Sequence, residues 1–161
     1  MSEIDILSQQ VATTLLENKL RLVTAESCTG GWLAKCLTDI AGSSQWFAGG
    51  FIPYSDEAKQ QMLEVQASTL ESLGAVSEET VTEMARGVLA NSSADVSVAV
   101  SGIAGPDGAV EGKPVGTVCF AWMVRDGMLC SSTQHFQGDR RMVRRESVCY
   151  GLQGILDVLK A

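Results

Sequence analysis

Leu20-Arg21-Leu22-Val23-Thr24-Ala25-Glu26-Ser27-Cys28-Thr29-Gly30-Gly31-Trp32-Leu33 decides the fold class. Residues 20–25 are apolar and β-branched enough for a short strand, and from Trp32 to Ile40 the apolar residues Leu33, Cys36, Leu37 and Ile40 recur at helical spacing. A strand that passes through a glycine-ended polar turn into a helix is the opening unit of an α/β fold. The turn also holds two candidate nucleophiles side by side, Ser27 and Cys28. The two glycines behind them allow a backbone to approach a ligand closely at a helix start.

Working outward, Ile4, Leu7, Val11 and Leu15 predict an amphipathic helix over residues 3–19. Gly42 to Ser44 ends the helix that follows the turn. Trp46 to Tyr54 reads as a strand, bent or bulged because Gly49, Gly50 and Pro53 interrupt it. Residues 56–63 and 68–73 predict short helices, and Ser77 is placed to cap a longer one over 78–91. Val96, Val98 and Val100 alternate with small residues in a strand that runs into Ser101-Gly102-Ile103-Ala104-Gly105-Pro106-Asp107-Gly108. Residues 115–124 and 128–136 read as an antiparallel hairpin about the Asp126-Gly127 step. A last helix begins near Asp139. Strands alternating with helices, closed by one hairpin, predict a single domain over 1–161 built as a three-layer α/β/α sandwich on a mixed β-sheet. Ligands in such folds favour the carboxyl ends of strands, so the two glycine-bearing loops after predicted strands are expected to share a pocket.

Composition narrows the function. With a net charge of −7, the 161-residue chain lacks the basic balance of a general nucleic-acid binder. No apolar run approaches the roughly 18 residues of a membrane span, and the acidic start does not resemble a secretion signal. Five cysteines without a C-x-x-C pair predict reduced thiols and a cytoplasmic location. A single histidine, His135, leaves no His/Cys cluster for zinc, so no metal is expected.

A serine nucleophile needs a base, and histidine is scarce here. A neutral lysine serves if burial or nearby charge lowers the amine's pKa. Lys59, in Tyr54-Ser55-Asp56-Glu57-Ala58-Lys59, is the candidate, with Tyr54 and Ser55 placed to orient a proton. The competing readings are an N-cap for Ser27 and a solvated surface charge for Lys59. Arg140, Arg141, Arg144 and Arg145 open the last helix, where the backbone dipole already disfavours cations; they fit either an anion, phosphate above all, or surface ion pairs with acids such as Glu146. The 101–108 loop matches neither the dinucleotide fingerprint nor the P-loop.

Thr24 to Gly31, Tyr54 to Lys59, Gly74-Ala75-Val76-Ser77, Ser101 to Gly108, Lys113-Pro114-Val115-Gly116-Thr117-Val118 and Gly138-Asp139-Arg140 together resemble the CinA carboxy-terminal domain family, in order and over essentially the whole chain. Its stand-alone members are nicotinamide-nucleotide amidohydrolases. The resemblance implies hydrolysis of the carboxamide of nicotinamide mononucleotide (NMN) to nicotinate mononucleotide and ammonia, in pyridine-nucleotide salvage and without a cofactor. It makes Ser27 the nucleophile and Lys59 its general base, with Tyr54 beside them. Thr29, Gly30 and Gly31 would line the amide and oxyanion region, and Ser101, Gly102, Ala104 and Gly105 would contact substrate. Arg140 with Arg144 or Arg145 are the phosphate candidates. A homodimer is expected, and none of the metal-dependent activity of the amino-terminal domain found in full-length members. Two rival readings stand beside it: Cys28 as nucleophile with His135 as partner, and a nucleotide-binding or partner-binding module without catalysis.

Overall fold

The computed structural model describes residues 1–160. In chain order its elements are α1 (Glu3–Asn18), β1 (Leu22–Glu26), α2 (Trp32–Thr38), a 3-10 turn (Ser43–Gln45), β2 (Phe47–Phe51), α3 (Asp56–Leu63), α4 (Ala67–Leu73), α5 (Glu78–Ala90), β3 (Val96–Gly102), β4 (Thr117–Val124), β5 (Leu129–His135) and α6 (Arg140–Lys160). The strands form one mixed sheet in the order β2-β1-β3-β4-β5. β1 lies parallel to β2 and β3, and β4 and β5 add an antiparallel hairpin.

Strand alternation builds two cores of different grain. Leu22, Val96, Val98, Val100, Val118, Phe120 and Trp122 face α1, α2 and α6, whereas Val23, Ala25, Ala99, Cys119 and Ala121 face α3, α4 and α5. The small side chains on the second face let α5 sit close to the sheet, and Ser97 Oγ donates to Ala85 O at 3.0 Å there. On the first face, Trp122 donates its indole N–H to Gly151 O (3.0 Å), and a Cβ at Gly154 would collide with its ring.

Ends of elements follow local chemistry. Ser2 and Asp5 form a capping box on α1, Ser55 and Ser77 cap α3 and α5, and the Asp139 carboxylate accepts from Met142 N (2.9 Å) at the start of α6. The first strand starts later than expected because Lys19 turns left-handed (φ 57) and Leu20 N donates back to Leu15 O (3.0 Å), so both belong to the end of α1. The interruption expected in residues 46–54 takes the form of a register shift. Leu22 pairs with Phe47 but Val23 with Gly49, and β2, an edge strand, stops before Pro53. In the hairpin the left-handed residue is Asp126 (φ 57).

The chain leaves β1 toward one face, through α2, and leaves β2 toward the other, through α3. A crevice therefore opens at the carboxyl ends of neighbouring parallel strands.

Candidate active site

Glu26 ends β1 and Ser27 follows it, so alternation sends the Glu26 side chain toward α2 and the Ser27 side chain toward α3. α3 is capped by the Ser55 hydroxyl, which accepts from Ala58 N (3.0 Å), and Lys59 stands one turn in from that cap. Lys59 Nζ donates to Ser27 Oγ at 3.0 Å, to Pro53 O at 3.1 Å and to Tyr54 O at 3.0 Å. Ser27 Oγ donates to Tyr54 O at 3.1 Å. Lys59 is only 1% exposed, and among the described residues no carboxylate lies within ion-pair distance of it. Burial pushes the Lys59 pKa below its usual 10.5, with Asp56 pulling the other way. Three donations are those of the ammonium; in the neutral amine the two N–H bonds serve the carbonyls of Pro53 and Tyr54, and the lone pair faces Ser27, whose hydroxyl proton turns from Tyr54 O to Nζ.

Ser27 N–H is fixed on Val100 O (3.0 Å), which ties the turn to β3. Glu26, 1% exposed, accepts from Thr29 Oγ1 (2.6 Å), Leu33 N (2.8 Å) and Ala34 N (3.0 Å). Gly31, the left-handed cap residue of α2 (φ 100), has no side chain to do this. From α6, Arg144 donates through Nε to Cys28 O (3.0 Å) and through Nη2 to Thr29 O (3.2 Å), and its guanidinium lies 5.7 Å from the centroid of the Trp32 ring.

A cavity of about 200 Å³ is lined by Ser27, Cys28, Tyr54, Ser55, Asp56, Lys59, Ala75, Val76, Ser101, Gly102, Ala104 and Arg140. It gathers Ser27, Lys59, Tyr54, Ser101, Gly102, Ala104 and Arg140 from the expected site. Gly105 touches it through Arg140, whose Nη1 donates to Gly105 O at 2.8 Å. Gly102 is required there, because a Cβ would stand 2.6 Å from a Val118 methyl. Thr29, Gly30 and Gly31 do not line this cavity; they border a separate shallow depression with Trp32, Lys35 and Arg144. Arg145 also turns elsewhere, to Glu146 (2.8 Å) and Glu3 (3.6 Å). Tyr54 contributes its backbone carbonyl to the Ser27–Lys59 pair, while its phenol, in a residue 56% exposed, stands 3.4 Å from Arg140 Nη2 at the rim. Ser55 is spent as a cap.

Cys28 is buried, and burial pushes its thiol up to about 12. That leaves almost no thiolate near neutrality. His135 lies at the end of β5 with Nδ1 3.2 Å from Thr117 Oγ1, on a groove lined also by Glu78, Lys113 and Thr133 but not by Cys28. The thiol reading therefore lacks both an activated sulfur and its partner. Glu26 is the residue that motif reasoning passed over. A lone acid in a strand of five buried residues is the signal that marked it. Among the described residues no group of three His, Cys, Asp or Glu is placed to hold a metal ion, and no helix is long and apolar enough to cross a membrane.

Comparison with known proteins matches residues 4–159 to the family model described as CinA C-terminal domain. A protein of Escherichia coli (strain K12) named nicotinamide-nucleotide amidohydrolase PncC is 53% identical over 152 residues, which cover 94% of this chain and 92% of that protein. A protein of the same name from Pseudomonas putida is 43% identical over 98% of each chain. Among solved structures, a CinA superfamily protein from Klebsiella pneumoniae superposes with a TM-score of 0.94 at 40% identity, covering 98% of both chains.

Proposed function

This chain belongs to the CinA C-terminal domain family, and from that premise we propose that it hydrolyses the carboxamide of NMN, giving nicotinate mononucleotide and ammonia, with Ser27 as nucleophile and Lys59 as base. One observation carries the reading: a buried amine without a carboxylate partner stands 3.0 Å from a serine oxygen at the wall of a cavity. The names of the E. coli and P. putida relatives supply the substrate.

Neutral Lys59 takes the Ser27 proton as Oγ bonds to the amide carbon, and the carbonyl electron pair moves onto oxygen. The Lys59 ammonium then protonates the amide nitrogen, the C–N bond breaks and ammonia leaves. Water enters, gives a proton to Lys59 and attacks the ester; collapse releases nicotinate mononucleotide and returns the proton to Ser27. The carbonyls of Pro53 and Tyr54 hold Nζ in place through each protonation change. The positive charge of the pyridinium ring makes the amide carbon more electrophilic and reduces what the protein must supply.

A cavity of about 200 Å³ is smaller than the roughly 300 Å³ or more that encloses a drug-sized ligand. It suits the nicotinamide end alone and leaves the ribose and phosphate at the rim, where Arg140 stands. Arg144 is committed to the turn and Arg145 to Glu3 and Glu146, so Arg140 is the phosphate contact of this reading. Ser101, Gly102 and Ala104 line the ring pocket. The protein works in this reading as one amidohydrolase domain without a cofactor, in the cytoplasm, with its five cysteines unpaired, and as a homodimer.

The test is ammonia release from NMN, its riboside and free nicotinamide. Turnover of NMN that falls sharply when the phosphate is removed supports the reading. Saturable NMN binding without ammonia release would replace it with a binding module.

A further inference from the structure

Three consecutive peptide planes follow Ser27, and in each the carbonyl is taken. Ser27 O accepts from Gly30 N (3.0 Å), Cys28 O from Arg144 Nε (3.0 Å) and Thr29 O from Arg144 Nη2 (3.2 Å). In a trans peptide the N–H stands opposite the C=O of the same plane, so a fixed carbonyl fixes the N–H of the next residue. Of the three N–H groups fixed in this way, that of Gly30 returns to Ser27 O. Those of Cys28 and Thr29 donate to no other residue among the described ones. Buried backbone donors are nearly always paired, and Cys28 and Thr29 are 7% and 0% exposed. Cys28 lines the same cavity as Ser27, and an unspent donor directly after the nucleophile at that wall is what an oxyanion requires.

Two side chains hold this turn. Arg144 takes its acceptors, the carbonyls of Cys28 and Thr29. Glu26 takes its donors, the Thr29 hydroxyl and the first free N–H groups of α2 at Leu33 and Ala34. Glu26 is buried, and both of its carboxyl oxygens are met by those bonds at the start of α2. Arg144 spends its Nε and Nη2 on the turn and lays its plane on Trp32, away from the cavity that holds Ser27 and Lys59.

We propose that Arg144 and Glu26 are positioning residues of the amide hydrolysis, which clamp the Ser27–Gly31 turn so that the Cys28 N–H at the cavity wall receives the oxyanion formed as Ser27 attacks. The inference rests on the serine amidohydrolase reading above. It assigns Arg144 to the transition state and leaves phosphate recognition to Arg140.

The test compares ammonia release from NMN by the wild type, Arg144→Ala, Arg144→Lys and Glu26→Gln. Binding of NMN is measured by calorimetry with each substitution placed in a Ser27→Ala background, where no turnover interferes. Losing an aligned oxyanion donor costs about 10²-fold in kcat, so Arg144→Ala should lose about that much, and Arg144→Lys and Glu26→Gln roughly tenfold each. Glu26→Gln keeps the shape but turns an amide N–H toward Ala34 N–H or Leu33 N–H. KM and the calorimetric Kd should stay within about twofold of the parent, because ground-state binding is not what the clamp serves. Millimolar guanidinium ion should restore part of the kcat of Arg144→Ala. Should Arg144→Ala fail to fold by circular dichroism, the Lys and Gln variants carry the comparison.

A Kd weakened about tenfold or more by loss of Arg144, with kcat intact, would make Arg144 a ligand contact and overturn the inference. So would unchanged kcat in both Arg144→Lys and Glu26→Gln. Wild-type turnover by Ser27→Ala would instead remove the serine reading itself, a separate and recognisable failure.

Discussion

The inner end of the cleft and its rim are built by opposite rules. At the inner end Ser27, Lys59, Glu26 and Thr29 are all buried, their side-chain polar atoms are paired at 2.6–3.1 Å, and Lys59 Nζ alone has three oxygens within 3.1 Å. At the rim Tyr54 is 56% exposed, and its phenol meets Arg140 at a loose 3.4 Å. Groups that move protons are fixed and dry, where electrostatic interactions are strongest and no reorganisation is needed. Groups that meet the far end of the substrate stay wet and adaptable. Burial thus separates turnover from recognition, and substitutions in the two regions should fall on different kinetic constants.

The largest effect is expected inside. Ser27→Ala and Lys59→Ala should each lower kcat for NMN by at least about 10³-fold with little change in KM, since neither half of the pair works alone. An ammonia assay on purified variants checks this, and a Lys59→Ala protein with even a tenth of wild-type kcat would break the division.

The next effect follows from the lowered pKa of Lys59. The neutral amine is the working form, so kcat/KM should fall about tenfold per pH unit on the acid side of that pKa and level off above it. The same shift links folding to pH. Between the lowered folded value and the usual 10.5 the unfolded chain binds a proton that the folded chain does not, so the Lys59 contribution to stability rises with pH across that window. It is lost as pH falls through the folded value. Lys59→Met should remove this slope from denaturant unfolding measured at a series of pH values; an unchanged slope would mean that Lys59 stays charged when folded.

At the rim the effects should be smaller and of another kind. Arg140→Ala should raise KM for NMN about tenfold, roughly 1.4 kcal/mol of binding, while leaving KM for the riboside nearly unchanged. Equal losses for both substrates would place the phosphate elsewhere. Smallest of all, Tyr54→Phe should change kcat by less than about threefold, because its carbonyl and not its phenol meets the reacting pair. A large drop would move the phenol into the chemistry.

The parts of this arrangement that could be read from residue types are those carried by side chains at local spacing. Ser27 and Lys59 stood out as a nucleophile and an amine in polar stretches after strand-like runs, and the alternation of Val96, Val98 and Val100 with small residues pointed to a strand. Backbone roles were invisible in that reading. Residue type cannot tell that Tyr54 works through its carbonyl, or that Glu26, aimed by strand alternation at α2, caps a helix whose own cap is Gly31. The arginine run was legible as a cluster but not in its division of labour. Arg140 and Arg144 lie on one stripe of α6, four residues or about 6 Å apart, and so reach different loops. Arg145, about 100° further round, faces Glu3 on α1. The late start of β1 was hidden for a similar reason, because Leu20 is apolar enough for a strand but closes α1 instead.

Which oxygen or sulfur carries the acyl group is read most directly by quenching the protein in acid during turnover of NMN and mapping its peptides by mass spectrometry. The geometry of Ser27 and Lys59 predicts the nicotinate mononucleotide acyl mass on Ser27, lost in Ser27→Ala and retained in Cys28→Ala. The same mass on Cys28, or undiminished ammonia release by Ser27→Ala, would contradict it.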